Sequence, residues 1–209
     1  MSSDAPTRPQ ALRAFLSAAL RRPATMGAVA PSSARLARVL SSVVPREGAP
    51  VVVELGPGTG AVSAVIAERI PAAGRHLAVE LDPDMVGYLR RTRPGLEVVP
   101  GDARDLGKLL AEHGVDRVDA IVCGLPWALF DDAAQTAVLA EIGRAIGETG
   151  AFTTFAYVQG MALPAAHRFR SRLRGAFEEV LVSSTVWRNV PPAFVYVCRR
   201  PVAGRPVRD

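Results

Sequence analysis

Apolar positions along this 209-residue chain change period partway through. Near the start, Leu12, Phe15, Leu16, Ala19 and Leu20 recur at helical spacing with Arg13, Arg21 and Arg22 off the stripe. That pattern predicts an amphipathic helix over 11–22, which Pro23 ends. After a loop over 25–31, Ser32 and Ser33 offer a cap for a second helix running to about residue 43. From Pro50 onward, short apolar runs alternate with helical stretches. Strands are expected over 51–55, 76–80, 96–100, 118–123 and 151–157, and helices over 61–70, 83–91, 103–113, 132–146 and 165–176. Two final strands, 180–187 and 194–199, flank a short connection over 188–193. Alternation of this kind predicts an α/β, Rossmann-like fold: a seven-stranded, mostly parallel sheet with an antiparallel edge strand and helices on both faces. Ligands then belong at the carboxyl ends of the strands. The expected organisation is an N-terminal helical extension over 1–46, one domain over 47–201, and a frayed tail over 202–209.

Composition narrows the class. Hydrophobic residues make up 49% and charged residues 22%, as in an ordinary globular domain. The chain suits one α/β domain and is short for two. No apolar run reaches the roughly 18 residues of a membrane span, and residues 1–10 lack a signal-peptide core, so a cytoplasmic protein is expected. Cys123 and Cys198 sit in apolar strand-like runs and read as buried free thiols. His76, His113 and His167 share no ligand spacing, so no metal site is expected. Charge is distributed unevenly. Residues 1–50 carry seven Arg against Asp4 and Glu47, residues 51–149 nine basic against fifteen acidic groups, and residues 150–209 nine Arg against Glu178, Glu179 and Asp209. Two basic ends flanking an acidic middle fit an anionic substrate or surface near the termini, or a solvated Arg-rich surface.

Candidate chemistry concentrates in Val51-Val-Val-Glu-Leu-Gly-Pro-Gly-Thr-Gly60. Glycines after a strand let the backbone approach a ligand closely, and the following helix N-terminus favours negative charge. Gly56, Gly58 and Ala61 also satisfy the dinucleotide pattern G-x-G-x-x-G/A. Glu80, which ends the second strand, suits ribose hydroxyls in either case. With Glu54 before the glycines and Gly101-Asp102-Ala103 after the third strand, the set resembles the class I S-adenosylmethionine-dependent methyltransferases over about residues 50–200. The resemblance implies S-adenosylmethionine as cofactor. It also implies that Asp102 reaches the adenine amino group, and that Glu54, Gly56, Gly58, Gly60, Glu80, Leu81, Asp102, Ala103 and Cys123 form the cofactor site.

The acceptor slot follows the fourth strand at Cys123-Gly-Leu-Pro-Trp-Ala-Leu-Phe130. Adenine and glutamine N-methyltransferases carry an N/D/S-x-P-Y/F motif there. Gly124 stands in the polar position, so no side-chain amide or carboxylate is offered, which argues against a nucleobase amine. Trp127 keeps the aromatic position, as a wall over a base or cationic head group or as core packing. Methyl transfer to an amine needs alignment more than side-chain chemistry. The amine must first lose a proton, which for a Lys-like ammonium costs about 4 kcal/mol near pH 7. Gly124 and Leu125, through their backbone, and Tyr157, at the end of the fifth strand, are the candidates for orienting it. Asn189-Val-Pro-Pro-Ala-Phe194 falls outside the slot and reads as a pocket rim, with Arg188 a candidate anion contact.

A closer resemblance runs through Arg21-Arg-Pro-Ala-Thr-Met-Gly-Ala-Val-Ala-Pro-Ser-Ser33, Glu54-Leu-Gly-Pro-Gly-Thr-Gly-Ala-Val62 and Gly124-Leu-Pro126. These segments resemble the bacterial phospholipid N-methyltransferases, which act on phosphatidylethanolamine, and more distantly the ribosomal RNA adenine dimethylases. The resemblance implies a lipid amine acceptor, a loop around Gly27 closing over the site, and an N-terminal helix docking on an anionic or zwitterionic membrane surface at its inner face. Neither a nucleic acid nor a protein partner is expected. Cys123 stands where that family usually has a small hydroxyl residue, and Trp-Ala-Leu-Phe follows Gly-Leu-Pro, so the acceptor's identity stays open among a lipid amine, a soluble metabolite and RNA. A non-catalytic cofactor-binding protein is the reading from another class.

Overall fold

The computed structural model describes residues Ser32–Val202. The amphipathic stripe over 11–22, Gly27 and the tail over 203–209 lie outside the described residues. Seven strands form one sheet: β1 (Val51–Leu55), β2 (Arg75–Glu80), β3 (Glu97–Pro100), β4 (Ala120–Cys123), β5 (Ala151–Tyr157), β6 (Phe177–Val182) and β7 (Ala193–Pro201). Their order is β3-β2-β1-β4-β5-β7-β6. The first five strands are parallel, with Val53 opposite both Leu77 and Ile121. β7 runs antiparallel between β5 and the outermost strand β6. β1 and β4 are almost wholly buried, which is why they read as unbroken apolar runs rather than alternating ones.

Helices cover both faces. Val52, Ala120, Val122 and Val195 pack against α1 (Ala34–Leu40) and α2 (Ala61–Arg69). Thr153 Oγ1 donates to Leu40 O at 2.8 Å, tying α1 to β5 inside this layer. The opposite face, with Val53, Leu55, Leu77, Ile121 and Phe152, packs against α4 (Leu106–Glu112), α5 (Asp132–Ile146) and α6 (Pro164–Ala176). α3 (Pro83–Thr92) closes the β3 edge through Val86 and Leu89. The caps follow local chemistry. Ser33 accepts from Leu36 N–H, Asp82 from Asp84 and Met85 N–H, and Asp131 from Ala134 N–H. Pro83 stands in the first turn of α3, where its missing N–H costs nothing.

One strand departs from expectation. β6 covers Phe177–Val182 rather than 180–187, and residues 183–192 form a loop with a single bridge from Val186 to Ala193. Phe177 sets this register: it is buried and stacks on Phe152 at 5.7 Å, so the strand begins as soon as α6 ends. Ser183 then takes Val195 N–H on its hydroxyl, and Trp187 is left outside the sheet. The helix expected over 103–113 also divides, into a 3-10 turn Ala103–Asp105 and α4.

Candidate active site

The loop after β1 depends on glycine for two physical reasons. Gly56, Gly58 and Gly60 have φ of +70°, +54° and +78°, the left-handed region that side chains disfavour. A Cβ on Gly56 would also lie 2.9 Å from Leu125 Cδ2, and one on Gly124 would lie 2.8 Å from the Gly56 carbonyl oxygen. The loops after β1 and β4 therefore touch backbone to backbone. This contact explains why the polar position of the β4 motif holds glycine: any side chain there meets the first loop.

Glu80, at the end of β2, organises the turn beside that loop. It is buried, accepting from Gly58 N–H at 3.3 Å and from Asp82 N–H at 3.0 Å. Burial raises its carboxyl pKa above the ordinary value, against the pull of the N–H groups of Asp82, Gly58 and Leu81. A carboxylate offers about four acceptor positions, so Glu80 has capacity left for ribose hydroxyls. A groove lined by Leu81, Pro83, Pro100, Gly101, Asp102, Arg104 and Asp105 opens beside it between the ends of β2 and β3. There the Asp102 carboxylate accepts from Arg104 N–H at 2.9 Å and meets the Arg104 guanidinium at 2.6 Å, so an incoming amino group would share it. The Ala103 and Cys123 side chains belong to the core, leaving only backbone groups for a ligand. Burial pushes the Cys123 thiol up to about 12, which keeps it a neutral packing group.

Glu54 is 2% exposed and faces His76 Nε2 at 3.2 Å, a contact without hydrogen-bond alignment. The sequence spacing of the histidines gives no hint of the His76–Glu54 contact. The parallel pairing of Val52 with His76 puts it on the same face as Glu54, a signal available once β1 and β2 are known to be neighbours. Asn189 was read only as rim, yet it is buried. Its Oδ1 accepts from Ser33 N–H at 3.0 Å and its Nδ2 donates to Pro191 O at 2.7 Å, holding the start of α1 against the 183–192 loop.

The acceptor-side residues divide. Trp127 is 5% exposed, donates through Nε1 to Thr154 Oγ1 at 2.8 Å, and lies against Phe169 with ring centroids 4.7 Å apart. Its backbone carbonyl accepts from Gln135 Nε2 at 2.9 Å. The structure thus packs the Trp127 indole into the core behind the β4 loop. Tyr157, half-buried at the end of β5, meets Phe155 edge-on at 5.4 Å, and burial raises its phenol pKa, so the hydroxyl stays neutral. Arg188 is exposed in the 183–192 loop.

These residues fit S-adenosylmethionine. The left-handed glycines bring backbone alone to the carboxyl end of β1, the Glu80 carboxylate keeps acceptor capacity for hydroxyls, and a groove opens between the ends of β2 and β3. Comparison with known proteins agrees. A family model described as a methyltransferase domain matches residues 52–150. Over 188 residues the chain is 33% identical to the ornithine lipid N-methyltransferase of Singulisphaera acidiphila, spanning 88% of this chain and 94% of that protein. Among solved structures, a TehB-like S-adenosylmethionine-dependent methyltransferase from Corynebacterium glutamicum superposes with a TM-score of 0.53 at 19% identity, over 91% of this chain and 98% of that one. Human methyltransferase-like protein 13 in complex with SAH gives 0.60 at 15% identity, over 85% and 86%. With a relative matched over nearly its whole length and with glycine loop, Glu80 and groove in order, the chain belongs to the class I S-adenosylmethionine-dependent methyltransferases.

Proposed function

We propose that this methyltransferase places its methyl group on the amine of a polar lipid head group, with ornithine lipid and phosphatidylethanolamine as the two candidate acceptors. The observation that carries this reading is the 33% identity, sustained over 188 residues, to an ornithine lipid N-methyltransferase. Bound S-adenosylmethionine supplies an electrophilic methyl on a sulfonium, so the chain's task is to hold an unprotonated amine in line with it.

Three groups are suited to that task. The Gly124 carbonyl accepts no hydrogen bond among the described residues and can take one amine N–H. Leu125, packed over Gly56, holds the β4 loop against the glycine loop, so acceptor and cofactor sites share one wall. The neutral Tyr157 hydroxyl, at the end of the next strand, can orient the nitrogen lone pair. Neither Gly124 nor its neighbours offer the side-chain grip that a planar nucleobase amine calls for, whereas an sp³ amine needs only such acceptors. Arg188, exposed in the 183–192 loop, is the candidate contact for a head-group anion.

The test is to incubate the protein with methyl-labelled S-adenosylmethionine and, separately, vesicles containing ornithine lipid, vesicles containing phosphatidylethanolamine, total RNA, and a soluble-amine extract. Label extracting into the lipid phase from either vesicle supports the reading, and the better acceptor names the substrate. Label confined to RNA or to the soluble amines overturns it.

A further inference from the structure

Seven large apolar side chains are exposed among the described residues, and all lie at the carboxyl end of one half of the sheet. Met161 and Leu163 follow β5, Leu181 and Val182 end β6, and Trp187 and Val190 stand in the 183–192 loop, 72% and 76% exposed. The seventh, Leu129, follows β4. Single exposed apolar residues are ordinary on a protein surface, whereas a cluster restricted to one rim marks an interaction face. The segments are physically joined: Val158 N–H donates to Pro192 O at 2.9 Å, linking the loop after β5 to the loop after β6. The rim adjoins the acceptor candidates, since Ala193, where the 183–192 loop ends, pairs with Tyr157.

Charge identifies what would cover it. Between residues 158 and 202 the only acidic residues are Glu178 and Glu179; Glu178 pairs with Arg200, and Glu179 with Arg199 and Arg200, on the outer strands. Arg168, in the second turn of α6, and Arg188, between Trp187 and Asn189, are exposed and make no ion pair among the described residues. An indole and an aliphatic side chain on either side of an exposed guanidinium suit the boundary between water and acyl chains, where amphipathic rings and cations are both favoured.

We infer that this rim is a membrane-docking face: Trp187 and Val190 enter the head-group layer of an anionic phospholipid bilayer, and Arg188 and Arg168 meet its phosphates. The inference rests on the lipid-acceptor reading and adds the surface by which the site reaches its lipid. Docking through the rim turns the carboxyl ends of β4 and β5 toward the bilayer, so a head group reaches Gly124 and Tyr157 without leaving its leaflet. Two other occupants compete for the face. One is this chain's own residues 1–31, which join the fold where Ser33 bonds to Asn189 beside Trp187. The other is a second copy of the protein.

The full-length protein is titrated with phosphatidylglycerol vesicles, with and without brominated acyl chains, while tryptophan emission is followed. Trp127 is buried and serves as the constant background, so the change reports Trp187. The inference expects a blue shift and quenching by brominated lipid, both absent in Trp187→Ser. It also expects flotation with the vesicles to fall about tenfold in the Trp187→Ser/Val190→Ser double variant. Arg188→Ser should weaken binding roughly fivefold, and that difference should vanish at high salt. Unchanged cofactor affinity in each variant confirms that it is folded. Absence of quenching, or equal flotation of wild type and double variant, overturns the inference. So does emission already blue before vesicles are added: a monomer would mean that residues 1–31 cover the face, and a concentration-dependent dimer that a second copy does. Lipid methylation by a protein that shows no quenching sinks the docking face and leaves the acceptor reading standing. Trp187-dependent docking with label appearing only in RNA or soluble amines does the reverse.

Discussion

The two halves of the sheet solve different problems with the same layered fold. Around β1, β2 and β3 the chain buries carboxylates, Glu54 and Glu80, and closes its loops with left-handed glycines and internal hydrogen bonds. Around β4 to β7 it leaves apolar side chains and exposed guanidiniums on the rim and fills the space beneath with Trp127, Phe169 and Tyr196. A cofactor with defined hydroxyls and a fixed ring rewards a rigid, self-bonded cradle. The proposed lipid acceptor, presented at a surface, would reward an open, apolar edge. Gly56 and Gly124, in contact, are the seam between the two.

Breaking the packing beneath the acceptor half should have the largest effect. Trp127→Ala removes a buried indole and strands the Thr154 hydroxyl and should cost about 3–5 kcal/mol in urea unfolding. If Trp127 instead served only as an acceptor wall, stability would be unchanged and only turnover would fall. Next comes the seam. Gly124→Asn restores the side chain usual in adenine methyltransferases but drives a Cβ to within 2.8 Å of the Gly56 oxygen. Displacing the two loops should lower kcat/KM by about 100-fold or more without conferring activity on RNA.

A smaller effect is the pH dependence of the cofactor half. Ribose hydroxyls donate to the ionised form of Glu80, so cofactor affinity should fall as pH drops through its raised pKa, by at most about tenfold per unit. The free protein shows the opposite sign. The fold holds the Glu80 proton more tightly than the unfolded chain does, so stability from this group is full below the ordinary carboxylate value and is lost as pH rises through the folded one. Calorimetric unfolding measured as pH is raised from the ordinary carboxylate range should give a falling stability profile for wild type and a flat one for Glu80→Gln. The smallest effect is a silence: with both thiols buried and pushed up to about 12, Cys123 and Cys198 should ignore a thiol reagent at pH 8 until denaturant is added.

The cofactor half was the more legible from sequence because its signals are local. An apolar strand, three glycines and a helix start occupy consecutive residues from Val51 to Ala61, Glu80 ends β2, and Gly101–Ala103 follow β3 directly. The acceptor half depends on contacts between distant residues. Nothing within Gly124-Leu-Pro-Trp127 says on which side the indole falls, since that choice is made by Thr154 and Phe169 from other elements. The apolar residues Val180, Val182, Val186 and Trp187 suggested a later β6, but burial of Phe177 against Phe152 sets the register. The value of the Gly56–Gly124 pair appears only once β4 is known to lie beside β1, a crossover the sequence order hides.

The division of labour is tested most directly by measuring cofactor Kd and lipid KM on two variants. Glu80→Gln should raise cofactor Kd roughly 10- to 100-fold and leave lipid KM unchanged, since one hydrogen bond to a charged group is lost. Tyr157→Phe should leave cofactor Kd at the wild-type value while lowering kcat/KM for the lipid. If Tyr157→Phe weakened cofactor binding as Glu80→Gln does, or if Glu80→Gln left it intact, the two halves would not divide cofactor from acceptor as described.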